Sequence, residues 1–249
     1  FAQAFDPDSH VLTVYASHDD ALVKLREHAA DKSLHLDMRF CGSVDAIRAL
    51  NEGRCTVAGF HAPEQPAAHT LVARTYRPLL KTGQHKIIAF ASRHQGLMVT
   101  PGNPLNIQGW TDLLRTDVRF VNRTRGTGTR LMLHDWLESE NIDRRTLQGY
   151  EREETSHTAV AAAIAAGQAD AGLGIASAAH ARGLGFVPLA KENYWLVCLK
   201  SALDSPAVQS LLNVLSSTHW SLALQAQVGY SAPNHSGQIQ SLRKCLPWW

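Results

Sequence analysis

One short loop holds the residues best suited to bind a charged ligand. Glycines let its backbone turn tightly and let an anion approach main-chain N–H groups, and threonines add hydroxyl donors. Guanidinium groups form charge-assisted hydrogen bonds to oxyanions. Because all three residue types occur together, we interpret the loop as an anion site. Its residues are Arg123, Arg125, Gly126, Thr127, Gly128, Thr129 and Arg130.

The segments beside this loop indicate how it is positioned. Residues 118–122 have the β-branched, alternating pattern of a short buried strand, and residues 131–137 have apolar side chains at helical spacing. A loop that enters a helix presents unpaired N–H groups and the positive end of the helix dipole to an anion. The alternative is that Thr129 only caps the helix and the arginines form a solvated rim. The loop matches neither GxxxxGK(S/T) nor GxGxxG, so it indicates the charge of a ligand and not its identity.

The composition is that of a globular protein with one large domain or two lobes. The chain has 249 residues, of which 45% are hydrophobic and 18% charged. A formal net charge of +2, without a basic run, argues against direct binding to nucleic acid or an anionic membrane. No apolar run approaches the roughly 20 residues that span a bilayer, and no signal-peptide pattern is present. Since the chain begins at Phe1, we expect a fragment or a processed product.

The cysteines and histidines do not form a recognisable metal or disulfide pattern. The cysteines are far apart in sequence and include no CxxC pair, so reduced thiols in a cytosolic protein are expected. His18 and His61 lie at predicted strand ends without an HxxH or HxxxH partner, and we interpret them as structural residues. We therefore expect no metal and no cofactor. The cysteines are Cys41, Cys55, Cys198 and Cys245.

Strands and helices alternate through the first sixty residues, which predicts a parallel sheet. In such sheets the carboxyl ends of the strands share one edge, where ligands bind. Ser17, Ser43 and His61 all fall at strand ends of this kind. Ser17 or Asp19 is expected to cap the first helix. The predicted strands are 11–16, 34–40 and 55–63, and the predicted helices between them are 21–30 and 44–53.

Two long extended segments, 86–100 and 185–200, are expected to cross between two lobes. The predicted division assigns residues 1–92 and 192–249 to lobe one and residues 93–191 to lobe two. Thr155, Ser156 or His157 is expected to cap a helix of small residues in lobe two. The remaining predicted elements are helices at 109–116, 131–140, 158–166 and 206–226, and a glycine-rich strand at 169–175.

Several short motifs, in this order, resemble the periplasmic-binding-protein-like domain related to molybdate-binding proteins. The resemblance covers nearly the whole chain and implies an α/β, two-lobed type II fold, each lobe a mostly parallel sheet flanked by helices. Many members of this family form the effector half of bacterial transcription regulators, behind a helix-turn-helix domain. The motifs are SHD at 17–19, CGS at 41–43, AGFH at 58–61, RHQGLMVTPGNP at 93–104, RFVNRTRGTGTR at 119–130, GYEREETSH at 149–157, ADAGLGI at 169–175, PLAKENY at 188–194 and LPWW at 246–249.

The resemblance implies recognition of a small oxyanion, with molybdate or tungstate as the usual ligand. Carried over by motif, lobe one contributes two serines and lobe two contributes the loop. This chain has Thr127 where GSGTR is commoner, which keeps the hydroxyl and adds a methyl group. The implied ligand-binding residues are Ser17, Ser43, Arg123, Thr127, Gly128 and Thr129.

Other residues extend the candidate site and leave alternatives open. Arg93 and Gln95 lie where the chain crosses between lobes, so they line the cleft, or Arg93 pairs with a carboxylate as a strut. His157 contacts the ligand or caps its helix. Tyr194 lies on the return crossing and is included in the site. Glu192 would repel an anion unless it pairs with an arginine, so we expect it to be a structural partner.

The sequence favours a binding protein over an enzyme, because it has neither a GxSxG elbow nor a cysteine in a catalytic context. We expect a cytoplasmic oxyanion sensor whose closure is reported to an upstream helix-turn-helix domain, with DNA contacted through that domain. A homodimer is a further expectation, and a membrane partner is not expected. The alternative is a periplasmic solute-binding protein that delivers the anion to an ABC transporter.

Overall fold

In the computed structural model, which describes residues 10–64, 69–233, 235–246 and 248, strands and helices alternate along most of the chain. The strands are β1 (His10–Ala16), β2 (Leu34–Phe40), β3 (Val57–Pro63), β4 (His85–Val99), β5 (Phe120–Arg123), β6 (Glu153–Glu154), β7 (Ala171–Ile175), β8 (Gly185–Leu199), β9 (Tyr230–Ser231) and β10 (Ile239–Gln240). The helices are α1 (Asp20–Ala30), α2 (Ser43–Asn51), α3 (Leu71–Tyr76), α4 (Gly128–Ser139), α5 (His157–Ala165), α6 (Ala176–His180), α7 (Pro206–Leu215), α8 (Thr218–Gln225) and α9 (Leu242–Cys245).

The strands form a sheet that is parallel at both ends and antiparallel in the middle. Its order is β2-β1-β3-β8-β4-β7-β5-β6. Strand β1 runs parallel to β2 and β3 at one end, and β5 runs parallel to β6 and β7 at the other. Strands β4 and β8 run antiparallel to each other and to β7 and β3. This arrangement confirms the two-lobed α/β fold with mostly parallel lobe sheets.

Strands β4 and β8 pass through both lobes. Their register extends from the pair His85 and Leu199 to the pair Val99 and Gly185. Nearly every residue of β4 is buried, because other elements cover both of its faces. Arg93 lies opposite Glu192 within this ladder, at the predicted boundary between lobe one and lobe two. The assignment of lobe boundaries remains a prediction.

The buried apolar side chains form three clusters. The largest lies under β1, α1 and α7 and extends into lobe two as far as Val160 on α5. A second fills the space between α2, α3 and β3, around Phe60 and Tyr76. The third is the core of lobe two, where Phe120 of β5 and Leu133 of α4 are buried. Helix α7, in the C-terminal region, packs on β1 and β2.

Three predicted elements differ from the observed ones at their ends. Residues 206–226 form two helices, because the Ser217 hydroxyl accepts the Trp220 N–H and starts α8. Residues 109–116 contain only a 3-10 helix, Trp110–Leu114. Helix α4 begins at Gly128, earlier than the apolar pattern indicates, because the Thr127 hydroxyl accepts the Arg130 N–H. The anion loop therefore includes the first turn of this helix.

Candidate functional site

The two lobes face each other across a cavity of about 460 Å³. Its walls come from the ends of β1 and β2 in lobe one and from the loops after β5 and β6 in lobe two. The lobes touch beside this cavity, since a Cβ on Gly42 would lie 3.0 Å from the carbonyl oxygen of Gly126. The cavity is lined by Ser17, His18, Phe40, Cys41, Gly42, Asp45, Arg123, Thr124, Arg125, Thr127, Thr155 and Ser156.

Three helices begin at the wall of this cavity. They are α2, α4 and α5, whose capping positions are Gly42, Thr127 and Ser156. Thr127 and Ser156 each accept a first-turn N–H group with the side-chain oxygen, whereas Gly42 has no side chain to do so. A helix start carries a partial positive charge and free N–H donors. The cavity therefore favours a negatively charged ligand. Of the three helix starts, the one of α2 has no side-chain cap on its N–H groups.

Behind the cavity wall, polar atoms from both lobes and from β4 are buried without a partner among the described residues. An unpaired buried polar group costs about 1–3 kcal/mol, so native proteins keep few of them. A concentration of such atoms at one interface indicates a place for a polar ligand. The unpartnered atoms there are His61 Nε2, Gln95 Oε1, Arg123 Nε and His157 Nδ1, and the hydroxyls of Ser43 and Tyr76 interact, within the described part of the chain, only with each other.

Close contacts and hydrogen bonds connect these residues across the interface between the lobes. A Cβ on Gly128 of lobe two would lie 3.4 Å from the Cβ of His61 and 3.7 Å from the hydroxyl of Tyr76. The Gln95 amide donates a hydrogen bond to the Thr129 hydroxyl, which joins β4 to α4. The Ser17 hydroxyl lies 3.2 Å from Nδ1 of His61. Residues of both lobes therefore enclose one polar region.

Arg123 is a buried cation of this region that forms no ion pair with a carboxylate in the described part of the chain. Its side chain is 3% exposed, and its Nη2 donates to the carbonyl oxygen of Thr155 at 3.1 Å. Among the described residues, no carboxylate oxygen lies within 4.0 Å of it, and its Nε has no partner. Burial, and then the neighbouring Arg93 charge, lower the pKa of Arg123 to about 10. The side chain therefore remains charged at pH 7; the Glu192 charge acts on it from a distance, and no carboxylate of the described residues forms an ion pair with it.

Arg93 is buried as well, but it has two carboxylate partners. Its Nε donates to Glu192 at 2.6 Å, and its Nη1 donates to Asp19. Asp19 also accepts the hydroxyl of Tyr230 at 2.9 Å and the N–H of Ala21 at 2.8 Å. Of the two alternatives for Arg93, the structure shows the strut that pairs with carboxylates. It also confirms the structural partner role predicted for Glu192.

The other two arginines of the loop lie outside the polar region. Arg130 is buried, and it donates to Glu153 at 3.1 Å and to the Arg123 carbonyl oxygen at 3.0 Å. Arg125 has a side chain that is 72% exposed and lies 3.8 Å from carboxylates of Glu151 and Glu153. The loop therefore brings one guanidinium group to the buried region, and the solvated-rim interpretation holds for Arg125.

The remaining candidates occupy different positions around the cleft. Thr127 caps α4 in place of Thr129, and its hydroxyl donates to the Thr124 carbonyl oxygen at 2.9 Å. Ser156 caps α5, and His157 is the first residue of that helix, where its buried ring feels the charges of Arg123 and Arg93. Tyr194 is fully buried; its hydroxyl donates to the Ser17 carbonyl oxygen at 3.0 Å, and its ring lies 3.7 Å from that of His61. Tyr194 thus contacts both Ser17 and His61 and helps to hold them in position.

Three residues of the polar region carry a weaker signal in the sequence. From the sequence, His61 is interpreted as a structural residue near a strand end, and Gln95 as a residue that lines the cleft, so both positions are marked. Tyr76 has no such signal, because it belongs to α3, a helix of six residues beyond the regular alternation. Its hydroxyl reaches the region because the ring packs against Phe60 at a centroid distance of 5.3 Å.

The order of Ser17, His61 and Asp19 resembles a nucleophile, a base and an orienting acid, but the geometry does not fit catalysis. Nε2 of His61 lies 3.9 Å from Oδ2 of Asp19, which is too long for a hydrogen bond. The Asp19 carboxylate is instead held by Arg93 and Tyr230. The arrangement can orient and bind a polar ligand, and it lacks the hydrogen-bonded relay that activates a serine.

His61 and His157 should make the stability of the unliganded protein fall as the pH drops below about 6.5. Burial lowers the pKa of both imidazoles well below 6.5, and Arg93 and Arg123 lower them further. Below the unfolded-state pKa the unfolded chain then binds more protons, which costs up to about 1.4 kcal/mol per pH unit for each histidine. Urea unfolding between pH 5.5 and 7.5 measures this slope. The control is the double variant His61→Gln and His157→Gln, and an equal slope in both proteins would contradict the assignment.

Gly128→Ala should fold normally and bind ligand weakly. The new methyl group meets no backbone clash, and alanine is the better helix former, so the unfolding free energy should stay within about 1 kcal/mol of wild type. The methyl group fills the space between His61 and Tyr76, so affinity should fall about tenfold or more. Calorimetric titration measures this, with Gly109→Ala as control because no atom lies within 4 Å of its added Cβ. Equal affinity of the two variants would place the ligand elsewhere.

The described residues contain no cluster of three or more histidine, cysteine, aspartate or glutamate side chains arranged to hold a metal ion. In that same part of the chain, none of the helices has both the length and the apolar character needed to cross a bilayer. The four cysteines are free thiols.

The chain is similar to a domain family and to longer proteins in sequence. A model of the PBP superfamily domain matches residues 25–216. The uncharacterized protein YvgK of Bacillus subtilis is 30% identical over 230 residues, which cover 92% of this chain and 73% of that protein.

Solved structures share the fold at low sequence identity. A phosphate ABC transporter substrate-binding protein with bound phosphate, from Clostridium perfringens, aligns with a TM-score of 0.66 at 12% identity, over 90% of this chain and 100% of that one. The regulatory domain of MetR, a LysR family regulator from Neisseria meningitidis, aligns with a TM-score of 0.60 at 10% identity, also over 90% and 100%. Proteins of both kinds, transporter components and regulator domains, therefore use this architecture.

Proposed function

The chain belongs to the PBP superfamily of ligand-binding domains, and on that premise we propose that it binds a small oxyanion in the cleft between its lobes. The observation that carries the proposal is the state of Arg123. A guanidinium group that is 3% exposed and unpaired with any carboxylate of the described residues costs free energy in the unliganded protein. An anionic ligand would lower that cost by pairing directly with the guanidinium group.

The groups around Arg123 suit an ion that accepts hydrogen bonds on several sides. The hydroxyls of Ser43 and Tyr76 and the neutral imidazoles can donate, and the helix starts add N–H groups. The formal charges of Arg93, Asp19, Glu192 and Arg123 sum to zero. The hydroxyl, imidazole and backbone N–H donors must therefore supply much of the free energy that stabilises a bound anion. A fully ionised tetrahedral ion accepts from all of them, which supports molybdate or tungstate as first candidates.

The role we propose is that of a sensor: the anion closes the lobes, and an attached helix-turn-helix domain responds to closure. The likeness to the MetR regulatory domain supports this role. About a quarter of the length of YvgK lies outside the match, which is room in that protein for a further domain. A solute-binding protein of an ABC transporter is the second candidate, supported by the likeness to the phosphate-binding protein.

A thermal-shift panel of molybdate, tungstate, sulfate and phosphate tests the binding proposal. A ligand present at a hundredfold of its dissociation constant adds about 2.7 kcal/mol of stability, which raises the melting temperature by roughly 5–10 °C for a chain of this size. Chloride at equal ionic strength is the control. If no oxyanion shifts the melting temperature beyond chloride, the proposal is wrong.

The gene sequence upstream of the Phe1 codon separates the two roles. A winged-helix segment in the same reading frame supports the sensor and a cytoplasmic location. A signal peptide supports the solute-binding protein and a periplasmic one.

A further inference from the structure

The cavity between the lobes is larger than a free oxyanion requires. Four oxygens at roughly 30 Å³ each, the share of a water molecule, give about 120 Å³. The cavity measures about 460 Å³, within the range of sites that hold organic ligands. Since the lobes already touch at Gly42 and Gly126, further closure cannot remove this space without displacing the backbone there.

The part of the cavity nearest to solvent has an aromatic wall. Phe40 is 41% exposed although it is a large apolar side chain, and its ring packs edge to face against His18 at a centroid distance of 4.8 Å. Both rings belong to lobe one and line the cavity. Exposed aromatic side chains at the mouth of a polar pocket are suited to contact a flat group.

Lobe two contributes a different group to the same cavity. Arg125 lines it with a side chain that is 72% exposed, and its nearest carboxylates, on Glu151 and Glu153, are 3.8 Å away. A guanidinium plane stacks on aromatic rings as well as binding anions. A flat group in the outer cavity could therefore contact aromatic rings from one lobe and a guanidinium from the other.

We propose that the ligand is an oxyanion carried on a planar organic group, with its anionic head at Arg123 and its flat group against Phe40 and His18. This inference rests on the proposed oxyanion site and adds the class of molecule that fills it. The buried polar region binds the anionic head, and the outer cavity distinguishes organic esters from the free ion.

Matched pairs of ligands test this inference: inorganic phosphate with phenyl phosphate, and sulfate with phenyl sulfate. Isothermal titration of the wild type should give a dissociation constant at least about tenfold lower for one ester than for its parent ion. Phe40→Ala should reduce that ratio to near one. Leu222→Ala, which removes another exposed apolar side chain, is the control and should keep the ratio.

The possible outcomes distinguish a failure of this inference from a failure of the proposed oxyanion site. If a parent ion binds and its ester binds no more tightly, the organic ligand is ruled out and the oxyanion site stands. If an ester binds more tightly but Phe40→Ala keeps the ratio, the flat group does not lie against Phe40, and the inference fails. If neither ions nor esters bind, the oxyanion site fails with it.

Discussion

Arg123→Met should weaken oxyanion binding at least about 30-fold and leave the unliganded protein about as stable as wild type. Removing one partner of a buried, hydrogen-bonded charge pair costs about 2–5 kcal/mol, which weakens binding by roughly 30-fold to several thousandfold. In the unliganded protein the change removes a buried charge without a carboxylate partner and one hydrogen bond to Thr155, so the two effects largely cancel. Titration calorimetry measures the affinity, and urea unfolding measures the stability.

Two companion variants make this result specific. Arg125→Met removes a guanidinium from the same loop, but from its exposed side, and should lower the affinity for a free ion only slightly. Arg123→Lys keeps the charge and loses the planar fork, so it should retain partial binding. If Arg125→Met weakened binding as much as Arg123→Met, the loop would act through its net charge, and the buried site would be wrong.

Arg93→Met should destabilise the protein severely, in contrast with the neighbouring Arg123→Met. Asp19 and Glu192 are buried, and Arg93 donates hydrogen bonds to both. Breaking a buried ion pair by removing one partner costs about 3–5 kcal/mol, because the other charge stays uncompensated. Two carboxylates are left in this case, so urea unfolding at pH 7 should show a loss at the upper end of that range.

The stability that Arg93→Met loses should be regained when Asp19 and Glu192 are neutralised as well. The triple variant Arg93→Met, Asp19→Asn and Glu192→Gln removes all three charges, and asparagine can still cap α1. It should be more stable than Arg93→Met alone. Lower pH should also narrow the gap between Arg93→Met and wild type, because protonation neutralises the same groups. A triple variant less stable than Arg93→Met would show that Arg93 acts through packing and not through charge.

The fold could be predicted from local patterns because those patterns agree with the tertiary structure. Alternating strands and helices indicated the parallel lobe sheets, and two extended runs indicated the crossing strands β4 and β8. The division of the apolar segment 206–226 into two helices was missed, because Ser217 gives only a weak signal inside a helical pattern. Its hydroxyl starts α8 through one hydrogen bond, to Trp220.

The candidate site was predictable in its position and less so in its details. Ser17, Ser43 and the loop could be placed at one edge because strand ends share that edge in a parallel sheet. The three loop arginines look alike in sequence, and residues distant in the chain decide their roles. Glu153, more than twenty residues later, pairs with Arg130, whereas no carboxylate in the described ranges pairs with Arg123, which leaves it available. Tyr76 enters the site through side-chain packing that no local pattern encodes.

A crystal structure with bound tungstate tests the buried anion site most directly, because anomalous scattering locates tungsten without reference to any assumed position. The expected result is one strong peak between the lobes, with a tungstate oxygen within about 3 Å of Arg123 Nε and other oxygens facing Ser43 and Tyr76. A peak confined to the exposed side of the loop, at Arg125, with Arg123 still bonded only to the Thr155 carbonyl, would contradict the account.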